Sequence, residues 1–65
     1  MNIVINGDVK PVSHNALNAV IAELGYQDAV IVTAVNGDFV AMGSRSDVIL
    51  QDGDKIEILA PMQGG

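Results

Sequence analysis

Lys55-Ile56-Glu57-Ile58-Leu59-Ala60, running into Pro61-Met62-Gln63-Gly64-Gly65, sets the architecture of this chain. Ile56 and Ile58 alternate with Lys55 and Glu57, the two-residue period of a strand with one buried face. Asp52-Gly53-Asp54 just ahead of it is a turn sequence. Pro61 to Gly65 carries no pattern to bury. A strand so close to the chain end needs a partner from elsewhere, and the other end supplies one. In Asn2 to Asn6, Ile3 and Ile5 alternate with Asn2, Val4 and Asn6.

Between these strands the chain alternates turns with periodic segments. Asn6-Gly7-Asp8 suits a tight reversal at positive φ, and Val9 to Val12 is its return strand, set at an edge by Pro11. Ser13 is placed to cap a helix. Leu17, Val20, Ile21 and Leu24 then fall at i, i+3, i+4 and i+7 on one stripe. Gly25 ends that helix, where a residue without Cβ takes the left-handed conformation. Ala29 to Val35 is almost continuously apolar and rich in β-branched residues, which predicts a strand inside the sheet. Asn36-Gly37-Asp38 repeats the first turn, and Phe39 to Ala41 is a short partner strand. Met42 to Asp47 reads as a loop, and Val48 to Leu50 is too short to assign.

The order β, β, α, β, β, β predicts an α+β domain with one helix packed on one face of a mixed sheet of four to five strands. The first and last strands, far apart in sequence, pair parallel in its middle. That arrangement is the ubiquitin-like β-grasp, expected over residues 1–60, with residues 61–65 as a flexible tail.

Composition narrows the chemistry. Sixty-five residues make one domain, which at this size buries only about 60% of the unfolded surface. With no cysteine and a single histidine, disulfides and a structural zinc are excluded as staples. The 49% hydrophobic residues must hold the fold by packing. The net charge of −5, with only Lys10, Arg45 and Lys55 basic, disfavours nucleic acid and anionic membrane surfaces. It suits a basic protein partner, although solubility alone is the simpler reason for it. The apolar pattern starts at Ile3 without a charged leader or a membrane-length run, so the chain is expected to be complete, cytoplasmic and monomeric on its own.

Nothing in the sequence builds a conventional active site. Asp52 and Asp54 lack the oxygens and spacing of a calcium loop, so the turn explains them better. His14 has no ligand cluster around it, and Ser13, Ser44 and Ser46 have no base within sequence reach. No glycine-rich phosphate loop occurs, and no metal or cofactor is expected on the chain. It is therefore expected to act as a substrate or carrier rather than as an enzyme. The ending supports this. Gly64 and Gly65 make the end slim, and the five residues from Pro61 extend roughly 17 Å at about 3.3 Å per residue. Such a tail can thread a carboxylate into a narrow active site, although a terminal Gly-Gly by itself is equally a frayed end.

Four segments taken together resemble ThiS, the sulfur-carrier family of thiamin biosynthesis: Val35-Asn36-Gly37-Asp38, Leu50-Gln51-Asp52-Gly53-Asp54, Lys55-Ile56-Glu57-Ile58 and the ending Pro61-Met62-Gln63-Gly64-Gly65. The similarity runs over essentially the whole chain. The Asp-Gly-Asp turn, one strand and the terminal Gly-Gly, in that order, are its specific part. One stretch departs from the family pattern. Many members follow the Asn-Gly turn with a proline, a basic residue and a tryptophan, and Ala41 to Asp47 offers neither the proline nor the tryptophan.

The resemblance implies a defined chemistry. A ThiF-like adenylating enzyme uses ATP and magnesium to convert the terminal carboxylate, here Gly65, into an acyl-adenylate. A sulfur donor fed by a cysteine desulfurase displaces AMP and leaves a thiocarboxylate, which thiazole synthase accepts to build the thiazole ring. On this reading Met62, Gln63 and Gly64 thread into the partner, and the lack of cysteine leaves no internal thiol to attack the activated end. Leu59 and Val4 are expected on the sheet face away from the helix as a docking patch. Phe39 either extends that patch or fills the core. The small subunit of molybdopterin synthase has the same ending and chemistry but tends to be longer and serves a pterin. A ubiquitin-like modifier would join Gly65 to a lysine, and a plain interaction module would work without its last two residues.

Overall fold

The computed structural model describes residues 1–60. In chain order the elements are β1 (Asn2–Ile5), β2 (Asp8–Pro11), α1 (Leu17–Glu23), β3 (Val32–Val35), β4 (Asp38–Val40), a 3-10 helix (Met42–Asp47) and β5 (Lys55–Leu59). The five strands form one sheet in the order β2-β1-β5-β3-β4. β1 and β5 are parallel, with Val4 opposite Lys55 and Ile5 opposite Ile56. All other neighbours are antiparallel. The last strand therefore occupies the middle of the sheet, and the β-grasp expected from the sequence is observed. β2, which carries Pro11, lies at an edge where its missing N–H costs no ladder bond.

The alternation within each strand decides which face is buried. Ile3, Ile5, Ile56 and Ile58 point to the helix side and join Leu17, Val20 and Ile21 in one core with Val12, Ile31, Val40 and Leu50. Leu24, the fourth residue of the helical stripe, is half-buried against that core. Gly25 follows the helix at φ 91°, the left-handed conformation that a C-terminal glycine adopts without strain. No described helix is long and apolar enough to cross a membrane.

Three local expectations are corrected. The helix starts at Leu17, not after Ser13, and its N-cap, Ala16, has no side chain able to cap. The backbone of residues 48–50 does that work. Val48 O accepts the Leu17 N–H (2.9 Å), Leu50 N–H donates to Asn15 O (2.7 Å), and Ala16 bridges Ile49. Ser13 N–H instead donates to both carboxylate oxygens of Glu23 (3.0 and 2.9 Å). β3 begins at Val32 rather than Ala29, because Val32 is the last residue with a partner on β5, namely Leu59. Finally, Met42 to Asp47 is not an open loop. It winds into a 3-10 helix whose Arg45 is buried.

Candidate functional site

The functional candidate is the C-terminal end of β5 and the sheet face beside it. β5 carries the chain to Ala60, and Met62, Gln63, Gly64 and Gly65, named from the sequence, lie outside the described residues. The structure does define how the strand leading to them is held. On one side it pairs with β3 through Leu59. On the other, β1 is too short to follow it, ending at Ile5 while β5 runs on. The side chain of Asn6 fills the gap. Its Oδ1 accepts the N–H of Ile58 (2.8 Å) and its Nδ2 donates to Ile58 O (3.0 Å), while its own N–H donates to Ile56 O (3.0 Å). An amide side chain thus continues the parallel ladder after the main chain has turned away.

Asn36 treats the other end of the strand in the same way. Its N–H donates to Lys55 O (2.7 Å), its Oδ1 accepts the Lys55 N–H (3.0 Å) and its Nδ2 donates to Asp54 Oδ1 (3.1 Å). Both asparagines hold positive φ, 49° and 50°, as the first residues of their Asn-Gly turns. Asparagine tolerates that conformation better than other residues with a side chain. The sequence marks these residues as turn formers, and the structure gives them a second task, bracing the central strand. The Asp-Gly-Asp turn braces it from behind. Asp52 Oδ1 accepts the Asn2 N–H (2.8 Å) and Asp54 Oδ2 accepts the Gln51 N–H (2.8 Å). Both carboxylates accept backbone N–H groups, Asp52 from β1 and Asp54 within the turn, and no metal-holding group of His, Cys, Asp or Glu occurs among the described residues.

The face opposite α1 is open. Leu59 is 68% exposed on β5 and Phe39 is 70% exposed on β4. The two alternatives for Phe39 are thereby decided in favour of the surface: it sits opposite Ala34, on the outward side of β3 and β4. Val4 is half-buried on the same face and borders a shallow hollow with Asn6, Asn36, Lys55 and Glu57. Val32 and Val9 are further exposed apolar residues of these strands. In register, Val32 stands across from Leu59 and Val9 across from Val4. The outward face is therefore apolar at both ends, with Lys55 and Glu57 between.

His14 lies away from this face, with a carboxylate that its sequence neighbourhood did not reveal. Its Nδ1 is 2.9 Å from Glu23 Oε1. The hydrogen bond to His14, reinforced by the N–H of Ser13, holds the Glu23 carboxyl below its usual range. Ser13 approaches Glu23, and the only side-chain partner of the His14 ring among the described residues is that carboxylate, so the group reads as a clasp between the segment before α1 and the end of the helix. Arg45, which the sequence presented only as one of three basic residues, is the one charged side chain buried among the described residues.

Comparison with known proteins agrees with this geometry. The family model of the ThiS family matches residues 3–65. The crystal structure of the thiamine biosynthesis protein ThiS from Geobacter metallireducens superposes with a TM-score of 0.75, at 26% identity and full coverage of both chains. The solution structure of a thiamine biosynthesis protein from the same organism superposes with a TM-score of 0.77 at 26% identity, covering all of this chain and 88% of that one. A protein of Paramagnetospirillum magneticum named thiazole synthase is 35% identical over 66 residues. The match takes in all of this chain but only 20% of that protein, so the chain spans about a fifth of that relative's length. With a family model matched from Ile3 to the terminal glycine, the chain belongs to the ThiS family.

Proposed function

We propose that this chain is a sulfur carrier of thiamin biosynthesis and that its working group is the Gly65 carboxylate. The observation that carries this reading is the family match, which extends through the terminal Gly-Gly and covers the whole fold. The mechanics of β5 support it. A tail that enters another protein's active site pulls on the strand behind it, and here that strand is central, paired on both sides and braced by Asn6 and Asn36.

The chemistry follows from the weakness of a carboxylate as an electrophile. A Gly65 oxygen attacks the α-phosphorus of ATP on an adenylating enzyme and expels pyrophosphate. A persulfide on the sulfur donor then attacks the carbonyl carbon of the acyl-adenylate and expels AMP, and a thiol of the donor system cleaves the resulting acyl disulfide, forming a disulfide with the donor sulfur and freeing the thiocarboxylate. ATP and magnesium belong to the partner, and the chain itself is a co-substrate rather than a catalyst. Thiazole synthase is the proposed acceptor. Support comes from the relative of that name, one fifth of which aligns with this entire chain, as expected if carrier and acceptor were joined in one polypeptide. The proposed docking face is the open sheet face around Leu59, Val4 and Phe39, with Leu59 exposed at the last residue of β5.

Intact mass spectrometry tests the proposal. The protein is incubated with ATP, magnesium, the host's adenylating enzyme and a sulfur donor. A mass gain equal to replacing one oxygen by sulfur, localised to Gly65, is expected. An unchanged mass with an enzyme proven active on its own carrier would overturn the reading.

A further inference from the structure

Arg45 is 8% exposed, and its guanidinium is anchored on two sides. Nε donates to Thr33 Oγ1 (3.0 Å) and Nη2 donates to Ile31 O (2.8 Å), while Thr33 Oγ1 itself donates to Val40 O (2.8 Å). These acceptors are all neutral. Among the described residues the one ion pair is His14–Glu23, so no carboxylate balances Arg45. A guanidinium carries five N–H donors, and these two bonds leave three. No buried side-chain nitrogen among the described residues lacks a partner, so the remaining Nη1 edge reaches the surface.

It does so in a hollow between α1, the loop after it and the 3-10 helix, bordered by Asn18, Ala22, Tyr26, Gln27 and Met42. This hollow is on the helix side of the sheet, away from the face around Leu59 and Val4. A largely desolvated cation without a counter-charge is costly to keep, and the cost falls when an anion arrives. The fork of N–H groups that is left matches the two oxygens of a carboxylate. Neither Lys10 nor Lys55 borders the hollow, so one positive charge faces it. That balance suits a singly charged carboxylate better than a phosphate. We propose that this hollow is a binding site for a single carboxylate group, with Arg45 as its counter-charge. The group is supplied either by a small free acid or by an Asp or Glu side chain of a docked protein. The site is independent of the sulfur-carrier reading.

The test uses the full-length 15N-labelled chain at constant ionic strength. Its Arg45 Nε–Hε resonance is followed while three probes are added separately: acetate, a blocked Gly-Asp-Gly tripeptide and the matching Gly-Asn-Gly tripeptide. Saturable shifts of Arg45 and of Asn18, Tyr26 and Gln27 are expected with acetate and the Asp peptide, and none with the Asn peptide. Tighter binding of the Asp peptide assigns the site to an acidic protein side chain, and tighter binding of acetate to a free acid. Non-saturating shifts, shifts spread over the whole surface, or an equal response to the Asn peptide overturn the proposal. Because Arg45 also ties the 3-10 helix to β3, the variant used is Asn18→Asp, at an exposed helix position bordering the same hollow. Its new carboxylate is expected to move the Arg45 resonance without added ligand and to abolish the acetate response. An acetate titration like that of the wild type in this variant likewise overturns it.

Discussion

Asn6 and Ile58, 52 residues apart, are joined by two hydrogen bonds in which one side-chain amide serves both backbone groups of the strand residue. The amide stands where a longer β1 would have placed its own main chain. Replacing Asn6 by Gly keeps the positive φ and removes both bonds, so the loss measures the brace itself. Leaving the Ile58 N–H and C=O without partners in a part-buried position costs about 1–3 kcal/mol. Asn6→Ala adds the left-handed strain of a residue with Cβ, a further cost of about 1–2 kcal/mol. Urea denaturation is expected to rank the stabilities wild type, Gly, Ala. Native-state hydrogen exchange is expected to show the Ile58 amide released in both variants.

The buried chain from Arg45 through Thr33 to Val40 makes a separate prediction for stability. Thr33 is fully buried, accepting from Arg45 Nε and donating to Val40 O. Thr33→Val keeps the shape but strips the hydroxyl, leaving Arg45 Nε and Val40 O without that partner. The expected loss is about 1–3 kcal/mol or somewhat more, because one of the two groups is charged. Thr33→Ser, which retains the hydroxyl, is expected to recover most of the hydrogen-bonding part. Thermal denaturation of the two variants side by side checks this, and equal losses would remove the hydroxyl from the account.

Glu23 predicts the direction of the acid response. Its carboxyl is held below its ordinary value of 4.5 in the fold, first by the hydrogen bond to His14 and then by the N–H of Ser13. A depressed carboxyl contributes stability above its unfolded value, and that contribution is lost as pH falls through the lower folded one. The clasp should therefore act at neutral pH and fade only below about pH 4.5. Glu23→Gln is expected to lower the urea midpoint at pH 7 and to flatten its dependence on pH in the acid range. A variant whose acid limb overlays that of the wild type would show that the clasp contributes nothing.

What the sequence makes legible and what it hides divide along contact distance. Ile56 and Ile58, the Leu17–Leu24 stripe, Pro11 and Gly25 state their roles through spacing over a few residues, and all of them sit as that spacing predicts. Central placement of β5 follows as well, because two strands from opposite chain ends have to meet. The features missed are long-range. The helix is capped by the backbone of Val48, not by Ser13, because the chain returns there after passing through two strands and a 3-10 helix. The brace of Asn6 spans 52 residues. Arg45 is buried because its guanidinium finds acceptors at Ile31 and Thr33, whereas a Gly/Ser-rich segment by itself suggests only a loop. Repetition of Asn-Gly-Asp at both turns was the available hint that asparagine does more than reverse the chain.

The open face predicts a separation of stability from recognition. Leu59 and Phe39 bury little in the isolated chain, so Leu59→Asp and Phe39→Asp are expected to shift stability by no more than about 0.5 kcal/mol. If the adenylating enzyme docks on this face, each change removes apolar contact and buries a charge. A loss of about 1.4 kcal/mol in binding would appear as a tenfold rise in the apparent Kd. Val9→Asp, on β2 at the far edge of the same face, provides the comparison for distance from the tail. Equal effects at all three positions would mean general charge repulsion rather than a patch beside Leu59.

Removing Gly64 and Gly65 tests the division of labour between fold and tail most directly. Every core residue of the described fold lies between Ile3 and Ile58, so the shortened chain is expected to keep the wild-type urea midpoint. Its response to the adenylating enzyme should differ entirely. The new terminal carboxylate, on Gln63, is two residues short, roughly 6–7 Å of extended chain, and cannot reach the same α-phosphorus. Exchange of labelled pyrophosphate into ATP, which reads adenylation alone, is therefore expected to be lost, and thiocarboxylate formation with it. Binding through the sheet face should persist, so the truncated chain becomes a competitive inhibitor of the intact one. A truncated chain that neither reacts nor competes would place the recognition in the last two glycines instead, and the open face around Leu59 would then need another occupant.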